Sequence, residues 1–185
     1  NAHFFEAGNP NDDDFWKVDA GEERIWQAAG MVSPEAGTVP GCSPKFHYPG
    51  EVTRQMLAAT APGADGSRTV RYVNPATGGP VMKTLGANIQ LLRAGERGKA
   101  HRHTGSIVYT VAKGSGYSII AGRRYDWSKN DIFVVPSWAW HEHANGSDRD
   151  DAVLFSFSDL PSMHALGLYR EEALADNGGH QAVAH

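Results

Sequence analysis

From Arg68 onward, short alternating or β-branched runs recur between turn residues. They are Thr69–Val73, Ala87–Leu92, Ser106–Ala112, Tyr117–Ile120, Arg123–Trp127, Ile132–Val135, Trp140–His143 and Ala152–Phe157. Gly95, Gly98, Gly105, Gly114, Gly116, Gly122 and Asn145-Gly146 punctuate them. Many short strands at this spacing predict an all-β antiparallel sandwich or barrel and exclude a βαβ fold. The first fifty residues have a different texture, rich in Gly, Pro and Asp. A short helix is expected over Glu22–Ala29, stopped by Gly30. Pro34, Pro40, Pro44 and Pro49 make the following stretch an extended or turning arm. Glu51–Ala61 reads as a helix with Val52, Met56 and Ala59 on one face, ended by Pro62-Gly63. Met163, Leu166, Tyr169 and Leu174 predict a closing helix over Pro161–Ala175, with a frayed tail after Asp176. The organisation expected is therefore an arm and linker with short helices (1–66), a β-barrel (67–160), and a terminal helix and tail (161–185).

A chain of 185 residues is long enough for one well-buried core, and one barrel domain uses it. A net charge of -4 without Lys/Arg runs gives no nucleic-acid footprint and no membrane-surface patch. No apolar stretch approaches the length of a bilayer span. The single Cys42 excludes an internal disulfide, which fits a reducing, cytoplasmic setting. The start at Asn1 is read as a trimmed or partial chain.

Against this frame the histidines stand out. His101-Arg102-His103 places two imidazoles on one face of a strand, because side chains alternate. His141, five residues after Pro136, supplies a third from a later strand. Three imidazoles closing one side of a metal leave its other side open to substrate and dioxygen. His141-Glu142-His143 is itself a second such pair, so His143 is the alternative ligand; the spacing from Pro136 favours His141. On that choice His143 lies beside the open positions, poised to hydrogen-bond a substrate hydroxyl or an oxygen species, or else serves as a structural histidine. Gln90, eleven residues before His101, is a barrel-lining hydrogen-bonder or a substrate contact. Tyr109 shares the alternation of His101 and His103, and lines the cavity or packs in it. Trp138 and Trp140 fall on the opposite alternation and read as core or interface aromatics. Arg93, Arg97 and Arg102 read as solvated charges, Glu142 as pointing away from the metal, and His47, His180 and His185 as bystanders.

The frame around these histidines resembles both motifs of the cupin superfamily. Gly95, His101, His103, Ile107 and Gly114 fit the first; Asp131, Pro136, His141 and Asn145 fit the second. The strings HRHTGS, DIFVVPSWAWHEHAN, FSFSD and LGLYREE, with RYVNPATGG upstream, are similar to the gentisate 1,2-dioxygenase family. That resemblance runs from about Ser43 to Glu172. It implies a single cupin jelly roll here, from proteins that carry two in a longer chain. The length and the Asn1 start point to the carboxyl-terminal one plus a linker.

The resemblance also implies an activity: Fe(II)- and O2-dependent ring cleavage between the carboxyl- and hydroxyl-bearing carbons of an ortho-hydroxy aromatic acid. Gentisate would give maleylpyruvate; relatives act on salicylates or 1-hydroxy-2-naphthoate. Most metal-binding cupins have a Glu ligand where this chain has Ile107, so the implied site is three neutral histidines, His101, His103 and His141. Such a metal keeps its full positive charge and favours an anionic, bidentate ligand such as a carboxylate with an ortho phenolate. His143 would then be the catalytic histidine, with Gln90 and Tyr109 contacting substrate. The alternative is a non-catalytic cupin half whose metal serves stability or oligomerisation. A sugar-isomerase or storage cupin fits less well, because the motif Glu is missing. The aromatic-rich arm, including Phe4, Phe5, Phe15, Trp16 and Trp26, predicts a homo-oligomer.

Overall fold

A computed structural model describes residues 47–183. The helix expected over Glu22–Ala29 and nearly all of the proline-rich arm lie outside the described residues. Helix α1 (Gly50–Ala59) forms within a residue or two of its expected span. It turns Thr53 and Leu57 inward, whereas Val52 and Met56 face solvent. The Tyr72 hydroxyl donates to Thr53 Oγ1 at 3.4 Å, which seats the helix on the outer side of the first strand.

Every run predicted as a strand is one. In chain order they are β1 (Arg68–Tyr72), β2 (Gly86–Leu92), β3 (His101–His103), β4 (Ile107–Lys113), β5 (Ser115–Ile120), β6 (Arg123–Ser128), β7 (Ile132–Val135), β8 (His141–Asn145), β9 (Ala152–Ser158) and β10 (Glu171–Ala173). They form two five-stranded antiparallel sheets, ordered β1-β2-β9-β4-β7 and β10-β3-β8-β5-β6. The two sheets make a jelly roll, and alternation along each strand decides what enters it. Leu92, Ile107, Val111, Val135 and Leu154 pack with Trp127 into an apolar core. The same inner faces also bury His103, His141, His143, Gln90, Ser118, Ser156 and Ser158. Part of the barrel interior is thus an ordinary hydrophobic core and part is polar.

Gly116 explains how closely β5 lies on β8. A Cβ there would stand 2.1 Å from the Ala144 carbonyl oxygen and 2.5 Å from the Trp127 ring. Only glycine permits that approach, and it sets Ser118 opposite His143 in the register.

The expected closing helix is much shorter than its sequence pattern. Helix α2 spans only Leu160–Ala165, because the chain turns at Gly167, which adopts a left-handed φ of 69°. Leu166 and Leu168 are exposed rather than packed. The chain then extends as β10 and pairs with β3, Glu171 opposite His103 and Ala173 opposite His101. A three-residue strand that would otherwise be an open edge gains a partner this way. After a 3₁₀ turn at Asn177–Gly179, the tail lies along the outer side of β8. Among the described residues no helix is long and apolar enough to cross a membrane.

Candidate metal centre

Strands β3 and β8 meet with His101 directly opposite His141. Alternation carries His103 to the same side. The ring centroids lie 4.3 Å apart for His101–His141, 5.0 Å for His103–His141 and 5.8 Å for His101–His103. One ring nitrogen from each of the three falls within 4.8 Å of the others. The turn before β8 is fixed on β3: Trp138, at a left-handed φ of 63°, donates its N–H to the His103 carbonyl at 2.8 Å. That contact gives the Pro136-to-His141 spacing its physical meaning.

The hydrogen bonds behind the rings decide which nitrogen faces inward. His141 Nδ1 lies 3.0 Å from the Ala139 carbonyl, His103 Nδ1 3.2 Å from the Thr104 carbonyl, and His101 Nδ1 3.4 Å from the Lys99 carbonyl. A carbonyl only accepts, so each Nδ1 must carry the proton, and each Nε2 keeps its lone pair. Backbone carbonyls of this kind are a common means of fixing metal-binding imidazoles. Burial, followed by the charge of His101, pushes the pKa of His141 well below its usual value and lowers that of His103. Both rings are therefore neutral, as ligation requires.

His143 has the opposite tautomer. Its Nδ1 lies 2.7 Å from Ser118 Oγ, which also accepts the indole N–H of Trp127 at 2.9 Å. Ser118 is fully buried and has no other acceptor among the described residues. Its hydroxyl proton therefore goes to His143 Nδ1, and His143 turns an Nε2–H into the barrel. Burial, and then the charge of His101, hold the His143 pKa down at about 3. Within His141-Glu142-His143 the two rings therefore differ: His141 turns a lone pair inward and His143 an N–H.

The other two expected site residues are also inside. Gln90 Nε2 donates to Ser67 Oγ at 2.7 Å, while its Oε1 has no partner among the described residues. Tyr109 is buried, stacked on Phe133 at 5.0 Å with its ring 4.6 Å from that of His143. Burial, aided by the negative charge of Asp65, raises its pKa, so it is a neutral phenol. The buried side-chain atoms lacking any partner among the described residues are Gln90 Oε1, His141 Nε2, His143 Nε2 and Ser158 Oγ. Such atoms are rare in folded proteins, and all four sit on inner faces of the barrel. Ile107, at the position of the usual Glu ligand, is packed in the apolar core.

Several residues read as bystanders have definite partners. Glu142 does point away from the metal centre, yet it is buried and receives Arg97 Nη2 at 2.7 Å and His180 Nδ1 at 2.8 Å. Arg97 and His180 are thus structural partners of the metal-bearing strand, because a buried carboxylate demands them. Arg102 bonds Glu172 and lies 4.5 Å from each of the Trp138 and Trp140 ring centroids, so those tryptophans grip a cation on the outside of the barrel. Arg93 pairs with Asp151 at 2.8 Å. Two acidic residues not singled out from the sequence stand near the centre. Asp65 and Glu171 line a recess of about 220 Å³ together with His101. Glu171 owes its place to the unforeseen β10.

Comparison with known proteins agrees with this arrangement. Residues 88–158 match the cupin domain family. The chain is 40% identical to the 5-aminosalicylate 1,2-dioxygenase of Comamonas sp, over 98% of this chain and 49% of that protein. It is 38% identical to gentisate 1,2 dioxygenase 1 of Aquipseudomonas alcaligenes, over 70% of this chain and 38% of that one. The crystal structure of salicylate 1,2-dioxygenase from Pseudoaminobacter salicylatoxidans, in its adducts with gentisate, superposes with a TM-score of 0.68 at 34% identity. That match covers 83% of this chain and 43% of the other. The chain spans about half the length, or less, of the curated relatives it matches. Jelly roll, convergent histidines and these likenesses together place the chain in the gentisate 1,2-dioxygenase family of cupin proteins.

Proposed function

We propose that this chain is the carboxyl-terminal cupin of a ring-cleaving dioxygenase acting on an ortho-hydroxy aromatic acid, with gentisate to maleylpyruvate as the model reaction. The carbon–carbon bond between the hydroxyl- and carboxyl-bearing carbons breaks, and both atoms of O2 enter the ring-opened product. The observation that carries this reading is the set of inward Nε2 lone pairs on His101, His103 and His141, held by backbone carbonyls. These three would hold Fe(II), which supplies the redox and Lewis-acid chemistry that lets a singlet aromatic acid react with O2. The protein's own groups bind and orient. His143 Nε2–H donates to a ligand oxygen, Gln90 Oε1 accepts from a substrate hydroxyl, and the Tyr109 phenol stays protonated beside them. The apolar core under these groups keeps water out. A homo-oligomer in a reducing, cytoplasmic setting belongs to the same proposal, on the strength of the aromatic-rich arm and the single Cys42.

The half-length match favours a second reading. The metal in this half then stabilises the barrel, and turnover belongs to the other half of a longer protein. Anaerobic Fe(II) loading, followed by gentisate, salicylate or 1-hydroxy-2-naphthoate and then O2, separates the two. The proposal expects a raised melting temperature on loading together with O2 uptake. A raised melting temperature without uptake supports the structural half. Neither effect would contradict the metal centre itself.

A further inference from the structure

On the outside of the barrel, the elements that carry and flank the three histidines meet at one cation. Arg102 stands between His101 and His103, and alternation points its side chain away from theirs. Its Cζ lies 4.5 Å from the Trp138 ring centroid and 4.5 Å from that of Trp140, on the turn that leads into His141. Nε and Nη2 of the guanidinium donate to Glu172 Oε2 at 2.8 and 2.6 Å. Glu172 lies opposite Arg102 in the β10–β3 register, between the partners of His103 and His101. One guanidinium thus joins β3, the turn before β8 and β10, and its side chain is only 26% exposed. The ladder between β3 and β8 is short, with His101 opposite His141 as its single register pair. The turn itself acts on a histidine: the Ala139 carbonyl, between the two tryptophans, lies 3.0 Å from His141 Nδ1. Trp138 holds a left-handed φ of 63°, which a bulky residue keeps only where its surroundings impose it. A guanidinium flanked by two indoles and tied to a carboxylate is such a surrounding.

We propose that Arg102 is a positioning residue for the three-histidine centre. Gripped by Trp138, Trp140 and Glu172, it locks the turn before β8 onto β3 and so sets His141 against His101 and His103. The inference rests on the metal-centre reading above and is independent of whether this half turns over substrate. Its sign separates it from plain electrostatics. A fixed positive charge beside a cation site repels the ion, so removing the charge alone should tighten binding. Removing a group that positions the ligands should weaken it.

The test measures Zn²⁺ affinity of the full chain by competition against a chelator, well below the melting temperature. Wild type is compared with Arg102→Met, Arg102→Lys and Arg124→Met. Arg124 is the matched control: its Cζ lies 3.8 Å from the Tyr117 ring centroid and it bonds Asp126, on β6, two strands from β8 in the same sheet. Arg102→Met should weaken Zn²⁺ by about tenfold or more. Arg102→Lys should weaken it less, since an ammonium keeps the charge but loses the flat face and the paired donors. Arg124→Met should leave it unaltered. In the metal-free protein, long-range ¹⁵N–¹H spectra of Arg102→Met should show His141 passing from Nδ1–H to a tautomer mixture. His143, held by Ser118 from β5, should keep its Nε2–H. Unchanged or tighter Zn²⁺ binding in Arg102→Met would overturn the proposal, as would equal weakening in Arg124→Met, the mark of a general loss of stability. Were wild type to bind no Zn²⁺, the metal-centre reading would fail and the His141 spectra would still decide: an unchanged Nδ1–H signal in Arg102→Met overturns the positioning role.

Discussion

On the inner face of β8, His141 and His143 each leave a buried ring nitrogen without a partner among the described residues; on its outer face, both carboxylate oxygens of Glu142 are taken. The three residues are consecutive and all nearly inaccessible. Burial alone therefore says little about role. A buried charge that is fully paired by Arg97, His180 and the Gln181 N–H is holding the tail against the sheet. A buried polar atom without a partner among the described residues is uncommon in folded proteins and calls for an explanation of its own. One strand thus pairs its buried polar groups on one side and leaves them open on the other, separated only by its alternation.

The two faces of β8 should differ most in their response to substitution at His141. His141→Ala removes one of three converging lone pairs. It should lower the affinity for Zn²⁺ or Fe²⁺ by more than about 100-fold, beyond the 10–100-fold seen when mere supporting groups are lost; competition titration against a chelator measures it. Next in size is the pH response of the metal-free protein. His143 is neutral in the fold, with a pKa near 3, but protonates at about 6.5 once unfolded. Between those values the unfolded chain binds more protons, so stability falls as pH falls from about 6.5 toward 3. The limiting slope is about 1.4 kcal/mol per pH unit for each such group. Urea melts at pH 7, 6, 5 and 4 should show this, and His143→Leu should flatten the slope.

On the outer face, Glu142→Ala should cost about 2 kcal/mol of stability, since Arg97 and His180 are partly exposed and recover some solvation. Faster amide exchange in the tail at Gln181 should accompany it, with metal stoichiometry unchanged. Loss of metal in that variant would erase the distinction between the two faces. The smallest effect is expected from Ser118→Ala, which frees the Trp127 N–H and releases the His143 tautomer. Stability should drop by about 1 kcal/mol. Long-range ¹⁵N–¹H spectra should show His143 passing from Nε2–H to a tautomer mixture, while His103 and His141 stay Nδ1–H.

Much of this was legible in the sequence because it depends on period. The alternation of His101 and His103, the inward side of Tyr109 and the spans of the strands follow from a repeat of two residues, and the structure keeps them. The same alternation could not choose between His141 and His143, since it puts both on one face. The two rings differ in the group behind each Nδ1, Ala139 O or Ser118 Oγ, and the latter arrives from β5 only because Gly116 lets that strand close in. Arg97 and His180 were missed for a related reason. They lie 45 and 38 residues from the buried carboxylate that claims them, and no local pattern encodes such pairing. The closing segment misled because Met163, Leu166 and Tyr169 have helical spacing, while Gly167 breaks the helix among them and the edge of β3 recruits the remainder.

We propose that an ion is held by His101, His103 and His141, with His143 as donor rather than ligand. Elemental analysis of chains loaded anaerobically with Fe(II) and desalted tests it directly. Wild type and His143→Ala should each retain one iron per chain, and His101→Ala should retain almost none. Iron lost in His143→Ala, or held in full by His101→Ala, would contradict it.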